Sequence, residues 1–105
     1  EFIVDSRFEN LPPVVVDRTK EAFRDWLGVT LAGLSSDLGG ILIDFVREQG
    51  GNEQATIVGT DFKTSSTNAA LVMGALSHAL DYDDVTPPMS GHPSVTLLPV
   101  VLALG

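Results

Sequence analysis

The chain carries three aspartates and two histidines close together between two apolar segments. They lie in the run His78-Ala79-Leu80-Asp81-Tyr82-Asp83-Asp84 and, after a short loop rich in proline and glycine, in His92-Pro93-Ser94. No lysine or arginine occurs from Ser65 to Gly105. A carboxylate that is buried without a partner is costly, so something must compensate these acidic groups. A reactive site is one candidate.

A histidine and a carboxylate that share a cavity can carry general acid–base chemistry, in which one group removes a proton and another delivers one. His92 lies in the loop just ahead of a proline that can begin a helix, and we predict that His92 is the catalytic histidine. We predict that one of the three aspartates points into a pocket and transfers protons with it. His78 lies three residues before Asp81, on the same predicted helical face. A histidine on an apolar helix is more often a core residue, so we assign His78 mainly that structural role. The alternative for the aspartates is a solvated acidic loop that caps a helix.

Metal binding is a weaker interpretation of the same residues. Asp81, Asp83, Asp84 and His92 offer oxygen and nitrogen ligands. The run lacks the glycine and the terminal glutamate of an EF-hand loop, and the sequence has no HxxxH or HxH pair. We therefore predict no metal in the site. The sequence also lacks a phosphate-binding glycine loop, and Ser94 lies in no nucleophile elbow.

The composition excludes several classes of function. The chain has 105 residues, enough for one modest domain, and a formal net charge of −8. Without a basic patch we expect neither nucleic acid nor an anionic membrane surface as a partner. The absence of cysteine excludes disulfides and thiol chemistry within the chain. No signal peptide is visible, and the apolar runs are shorter than the roughly 20 residues of a membrane span, so we expect a cytoplasmic protein.

Hydrophobic periodicity predicts a mainly α fold, a bundle of about four helices with a small β-hairpin. The first helix begins at Leu11-Pro12-Pro13 and ends between Gly33 and Ser36. The second has Asp37 as its predicted N-cap and ends at Gly50-Gly51.

Two short segments, 54–59 and 61–64, are rich in β-forming residues and predict the hairpin. The third helix is predicted from Ala69 to about Leu80. It is apolar nearly all round, which indicates burial on most sides. Pro93 begins a fourth helix, in which we expect Pro99 to cause a kink.

The chain ends in a long apolar run, Val95 to Gly105. A small soluble protein rarely exposes such a stretch. We therefore expect residues 1–105 to be a single region that forms an incomplete N-terminal segment of a larger helical domain, or a chain that buries its end against a partner.

Several segments together resemble the MmgE/PrpD family, which includes 2-methylcitrate dehydratase, cis-aconitate decarboxylase and iminodisuccinate epimerase. The similarity covers nearly the whole chain, and its last part is the most specific. The matching segments are Leu11-Pro12-Pro13, Asp25-Trp26-Leu27-Gly28-Val29-Thr30-Leu31-Ala32-Gly33, Ala55-Thr56-Ile57-Val58-Gly59, Asn68-Ala69-Ala70-Leu71-Val72-Met73-Gly74-Ala75-Leu76, His78-Ala79-Leu80-Asp81-Tyr82-Asp83-Asp84 and His92-Pro93-Ser94.

The resemblance implies a large helical domain, a smaller α/β domain inserted later in the full chain, and a homodimer. It implies a pocket without a cofactor that binds small di- or tricarboxylates. By similarity Asp81 and His92 line that pocket, and Asp84, Thr86 and His78 are further substrate-binding candidates. The family's lysine and another histidine come from segments beyond residue 105, so we expect the chain alone to be inactive.

The leading hypothesis is a carbon–oxygen lyase of the 2-methylcitrate dehydratase type. Asp81 and His92 would then remove a proton alpha to a carboxylate and assist loss of the β-hydroxyl. Decarboxylation and epimerisation start from the same proton-transfer geometry, so the residues do not separate these reactions. Two alternatives stay open: a non-catalytic helical fragment or interaction module that retains the family scaffold, and a divalent-metal-binding helical protein.

Overall fold

Four helices of at least twelve residues build the fold in residues 2–105, the part of the chain that the computed structural model describes. A one-turn helix precedes them, and 3-10 turns lie at Phe8–Asn10 and Pro87–Met89. The mainly helical fold class is confirmed. The helices in chain order are α1 (Phe2–Asp5), α2 (Pro13–Leu34), α3 (Asp37–Gln49), α4 (Ser66–His78) and α5 (Pro93–Leu104).

The predicted hairpin is present as two very short strands, β1 (Ala55–Thr56) and β2 (Lys63–Thr64). They pair antiparallel, with Ala55 opposite Thr64 and Thr56 opposite Lys63. Gly59 lies in the turn with a φ of +82°, a conformation that favours glycine. The hairpin packs against α4 and α5, so it closes one end of the bundle.

The helix boundaries differ from prediction by a few residues, for identifiable reasons. The Ser65 side chain accepts a hydrogen bond from the Asn68 N–H at 3.2 Å, so α4 begins at Ser66 rather than Ala69. The same helix ends at His78, short of the predicted Leu80. In α3 the N-cap position falls on Ser36, and Asp37 is the first helical residue. α2 ends at Leu34, within the predicted interval.

Helix α4 lies at the centre of the molecule and packs against α2, α3, α5 and both strands. This position confirms the prediction that the third helix is buried on most sides. Apolar side chains from every long helix and from the hairpin meet there. The buried core consists of Trp26, Val46, Ile57, Ala69, Val72, Met73, Leu76 and Ala103.

The backbones of α2 and α4 approach closely at one glycine, whereas α5 packs against α4 at ordinary van der Waals distance. A Cβ atom added at Gly33 of α2 would lie 2.0 Å from the Leu76 carbonyl oxygen of α4, so only glycine fits there. On the other side, a Cβ at Gly74 of α4 would lie 3.5 Å from the Val95 carbonyl oxygen of α5. That carbonyl lies four residues before Pro99, which has no N–H to donate to it. The helix continues through Pro99, and the predicted kink stays a prediction.

The outer faces of the bundle retain exposed apolar side chains. In α5, Leu97, Val101 and Leu104 are all more than half exposed, which agrees with the uncovered apolar run seen in the sequence. In α2 the predicted apolar face is only partly buried, because Phe23 and Leu31 remain exposed. None of the helices within residues 2–105 could cross a membrane by itself, although the bent pair of α2 and α3 has the length and composition to do so together.

We predict that Gly33→Ala lowers the free energy of unfolding by about 1 to 3 kcal/mol, because the new methyl group would overlap the Leu76 backbone. Gly28→Ala is the matched control in the same helix, since a Cβ there meets nothing within 4 Å. Its better helix propensity should leave stability unchanged or raise it by up to about 1 kcal/mol. Urea unfolding of both variants measures the difference. Equal stabilities would contradict the close packing of α2 on α4.

Candidate active site

Two histidines from different helices meet at one end of the α4–α5 pair. His78 is the last residue of α4, and His92 occupies the N-cap position of α5. The two helices pack against each other, and the loop between them brings the start of α5 close to the end of α4. The imidazole rings therefore lie edge to face, with 4.6 Å between their centroids and 66° between their planes.

The carboxylate of Asp83 lies between the two imidazoles and is almost completely buried, with 1% of its side chain exposed. Its Oδ1 atom lies 2.9 Å from Nδ1 of His78, and its Oδ2 atom lies 3.1 Å from Nδ1 of His92. Sequence reasoning included Asp83 in the acidic cluster but not among the predicted site residues. The available signal was a carboxylate between two histidines in a segment without lysine or arginine.

The two contacts of Asp83 differ in quality. The contact with His78 is a hydrogen bond. The contact with His92 has hydrogen-bond length but poor alignment, and within residues 2–105 neither Asp83 Oδ2 nor His92 Nδ1 has a hydrogen-bond partner. Because Asp83 Oδ2 and His92 Nδ1 lie 3.1 Å apart, a small rotation of either side chain would form a hydrogen bond between them. Hydrogen bonds in active sites are often poorly aligned in the free protein and tighten when substrate binds.

Asp81 approaches both imidazoles from the opposite, exposed side. Its Oδ1 atom lies 4.0 Å from Nε2 of His78 and 4.0 Å from Nε2 of His92, which is too far for direct hydrogen bonds. Its side chain is 80% exposed. The predicted closeness of His78 and Asp81 is present, but the predicted helical face is wrong because α4 ends at His78. Asp81 instead lies in a turn, with a φ of +51°, a left-handed conformation that aspartate tolerates better than most residues.

Asp84, predicted as a substrate-binding residue, is engaged with the start of α5. Its Oδ1 atom accepts a hydrogen bond from the Ser94 N–H at 3.2 Å, and its Oδ2 atom accepts one from the Ser94 hydroxyl at 2.6 Å. A carboxylate at a helix N-terminus also interacts favourably with the helix dipole. These bonds tie the loop to α5, directly beside His92.

Thr86, the other predicted loop residue, lies at the start of a short loop that is closed by a backbone contact with Gly91. Its N–H donates to the Gly91 carbonyl oxygen at 2.9 Å, and the two residues form an isolated antiparallel bridge. The residues between them form the 3-10 turn Pro87–Met89 and Ser90, which has a φ of +49°. The chain therefore leaves the site at Thr86 and returns at Gly91.

The acidic surroundings favour the charged form of His78. Its hydrogen bond to Asp83 and the negative charge of Asp83 raise the pKa of the imidazole, partial desolvation lowers it, and Asp81 raises it slightly. The net direction is upward from 6.5. The contacts with Asp83 and Asp81 therefore favour protonation of His78 more than in an isolated histidine, in a segment that has no lysine or arginine.

The same side chains could hold a divalent cation. His78, Asp81, Asp83 and His92 each offer one ligand atom, and these atoms lie within 4.8 Å of one another. Two imidazole nitrogens and two carboxylate oxygens are a ligand set that suits zinc and similar metals. A cation held by all four side chains would replace the present contacts between Asp83 and the two imidazoles or share their atoms.

We predict that the raised pKa of His78 makes stability depend on pH. The stabilisation is fully present below about 6.5, the pKa of an unfolded histidine, and is lost as the pH rises through the higher folded value. The free energy of unfolding should therefore fall with rising pH across that window. Urea unfolding at pH values from about 5 to 9, in the presence of EDTA, measures this slope. His78→Gln should flatten it, and an unchanged slope in this variant would contradict the assignment.

Comparison with known proteins places this site in a family. A family model described as the MmgE/PrpD N-terminal domain matches residues 1–105. The cis-aconitate decarboxylase of Mus musculus is 31% identical over 99 residues, which cover 93% of this chain and 20% of that protein. The cis-aconitate decarboxylase of Homo sapiens is 33% identical over 91 residues, which cover 86% of this chain and 19% of that protein.

The chain thus spans about a fifth of the length of the curated relatives it matches. The family match, by contrast, extends over the whole sequence and includes both histidines and all three aspartates of the cluster. The chain belongs to the MmgE/PrpD family, and its residues correspond to that family's N-terminal domain.

Proposed function

We propose that this chain supplies the histidine–aspartate part of the active site of a lyase that acts on a small di- or tricarboxylate. One observation carries the proposal: two imidazoles share a buried carboxylate through their Nδ1 atoms, while their Nε2 atoms both approach Asp81 on the exposed side. A substrate arriving from that side would meet two imidazole nitrogens and one carboxylate, which are groups that accept and deliver protons.

In this proposal His92 transfers the proton and His78 carries positive charge. Both Nε2 atoms lie on the exposed side, and the pKa of His78 is raised by its hydrogen bond to Asp83. A protonated His78 would attract a substrate carboxylate, while the less exposed His92 would face the reacting carbon. Asp81, 4.0 Å from both Nε2 atoms, would orient the pair and exchange protons with it.

The names of the two relatives favour decarboxylation as the first reaction to test. In that reaction the bond between a carboxylate and its neighbouring carbon breaks, carbon dioxide leaves, and the electron pair stays on the substrate. The carbanion then takes a proton at that carbon. His92 would deliver it from Nε2 when its ring is protonated on both nitrogens, and would then take a replacement proton from solvent. Dehydration of the 2-methylcitrate type uses the same groups differently: a base removes a proton alpha to a carboxylate, and an acid protonates the departing hydroxyl.

A polycarboxylate needs more positive charge than this cluster offers. The chain has six lysines and arginines against fourteen aspartates and glutamates, and none of the six lies in residues 65–105. We therefore propose that further cationic groups come from another part of the working enzyme. Activity is therefore measured on an enzyme that includes residues 1–105 together with the part that supplies these cationic groups.

We predict that His92→Ala or Asp81→Asn lowers turnover by about two to four orders of magnitude, because each removes a group that handles the proton. Steady-state assays with cis-aconitate and with 2-methylcitrate, following carbon dioxide release and dehydration respectively, measure the loss.

Asp61→Asn is the matched control, because it makes the same chemical change at an exposed aspartate between the two strands. It should keep the turnover of the original enzyme. Near-native rates in the His92 and Asp81 variants, with folding unchanged, would remove both residues from the mechanism.

The four clustered ligand atoms support a second candidate function, the binding of a divalent cation. If the imidazoles act as proton carriers, their Nε2 atoms must be free, and turnover should survive prolonged dialysis against EDTA. Elemental analysis before and after dialysis, combined with the same assay, measures this. Activity that disappears with the metal and returns when zinc is added would favour the metal-binding alternative.

A further inference from the structure

The buried carboxylate of Asp83 has an unusual set of neighbours. Most buried carboxylates are paired with a cationic side chain. Asp83 instead contacts one imidazole through each of its oxygens, His78 through Oδ1 and His92 through Oδ2. An ionised carboxylate can only accept hydrogen bonds, so each imidazole nitrogen beside it must supply the hydrogen.

We propose that Asp83 is a positioning residue, which holds both imidazoles with the proton on Nδ1 so that both Nε2 atoms are presented toward Asp81. The effect of Asp83 on turnover rests on the function proposed above. The effect of Asp83 on the tautomers of the two imidazoles is independent of that function.

The choice of tautomer follows from the contacts. Two nitrogens at 2.9 and 3.1 Å from acceptor-only oxygens are favourable neighbours only if each carries a hydrogen. A neutral imidazole has a single N–H group, so placing it on Nδ1 leaves Nε2 with a free lone pair. In the neutral form of each ring, the proton-accepting nitrogen of His78 and of His92 is therefore Nε2, on the side of Asp81. When His78 is protonated, as the proposed function requires, the added hydrogen lies on Nε2 and the Nδ1–H bond to Asp83 is kept.

The sharing of one carboxylate also couples the orientations of the rings. The two oxygens of Asp83 belong to one planar group, so the directions in which they accept hydrogen bonds are fixed relative to each other. The rings additionally contact each other edge to face at 4.6 Å. The more exposed His78 and the less exposed His92 therefore both contact the same buried group.

Replacing Asp83 with asparagine makes a sharp test because the shape of the side chain is kept. An amide has one accepting oxygen and one donating NH₂ group. It can accept from the Nδ1–H of only one imidazole, and it donates to Nδ1 of the other. The second ring must then carry its proton on Nε2. Asp83→Asn should therefore switch one histidine to the opposite tautomer.

The experiment is two-bond ¹H–¹⁵N NMR of the histidine rings in the full chain, at a pH where both are neutral. In the original protein we expect both histidines as the Nδ1–H tautomer. In Asp83→Asn one should change to the Nε2–H tautomer, and in Asp61→Asn, an exposed control, neither should change. The measurement on the original protein needs no variant, so it decides the tautomer question even if Asp83→Asn does not fold.

The kinetic arm uses the active enzyme described above. Asp83→Asn should lower kcat by about 10² to 10⁴-fold, the scale seen when a catalytic histidine is held in the wrong tautomer. KM should change much less, because Asp83 is buried and would not touch substrate.

The outcomes separate the two proposals. An Nε2–H tautomer for either histidine in the original protein would overturn the role of Asp83, whatever the enzyme does. A tautomer switch in Asp83→Asn with unchanged kcat would overturn its part in turnover. A third outcome is possible, in which both histidines show the expected tautomer but the His92 variant keeps full turnover. That result would support the positioning role of Asp83 and refute the proposed function.

Discussion

The structure depends on the burial of one carboxylate, Asp83, where α4 ends and α5 begins. A charged group in that position must have partners, and the sequence provides no lysine or arginine nearby. The partners are the imidazoles of His78 and His92, one from each helix. Asp83 thus links the end of α4 to the start of α5 and contributes to the relation between them. The clustering of two imidazoles and two further carboxylates around it accompanies the same contacts.

That relation also needs the two helices to approach closely along their length. Gly33 allows α2 to approach α4 at Leu76, where a Cβ atom would overlap the carbonyl oxygen. At Gly74, α5 packs against α4 at an ordinary van der Waals distance. Asp84 then secures the first turn of α5 through Ser94. Packing in the bundle and polar contacts in the loop therefore act on the same two histidines.

Much of this arrangement was accessible from the sequence. Hydrophobic periodicity predicted the four long helices, because burial of one face is a local pattern. The acidic run and its two histidines predicted which polar side chains lie close together. The identity of the central residue of this cluster was not accessible, because a left-handed turn at Asp81 interrupts the helical pattern two residues before the buried Asp83. The end of α4 at His78 was missed for the same reason. A single-residue backbone reversal in a run of aspartates leaves no periodic signal.

The bridge between Thr86 and Gly91 gives the loop a narrow neck. Hydrogen bonding at the neck is between backbone atoms, so it does not depend on which side chains lie in the excursion beyond it. Changes in the number or type of residues at 87–90 therefore leave intact the backbone contact that brings the chain back to His92. Under the proposed function, this loop is a part of the molecule in which the edge of the site can vary while Asp83, Asp84 and His92 keep their positions.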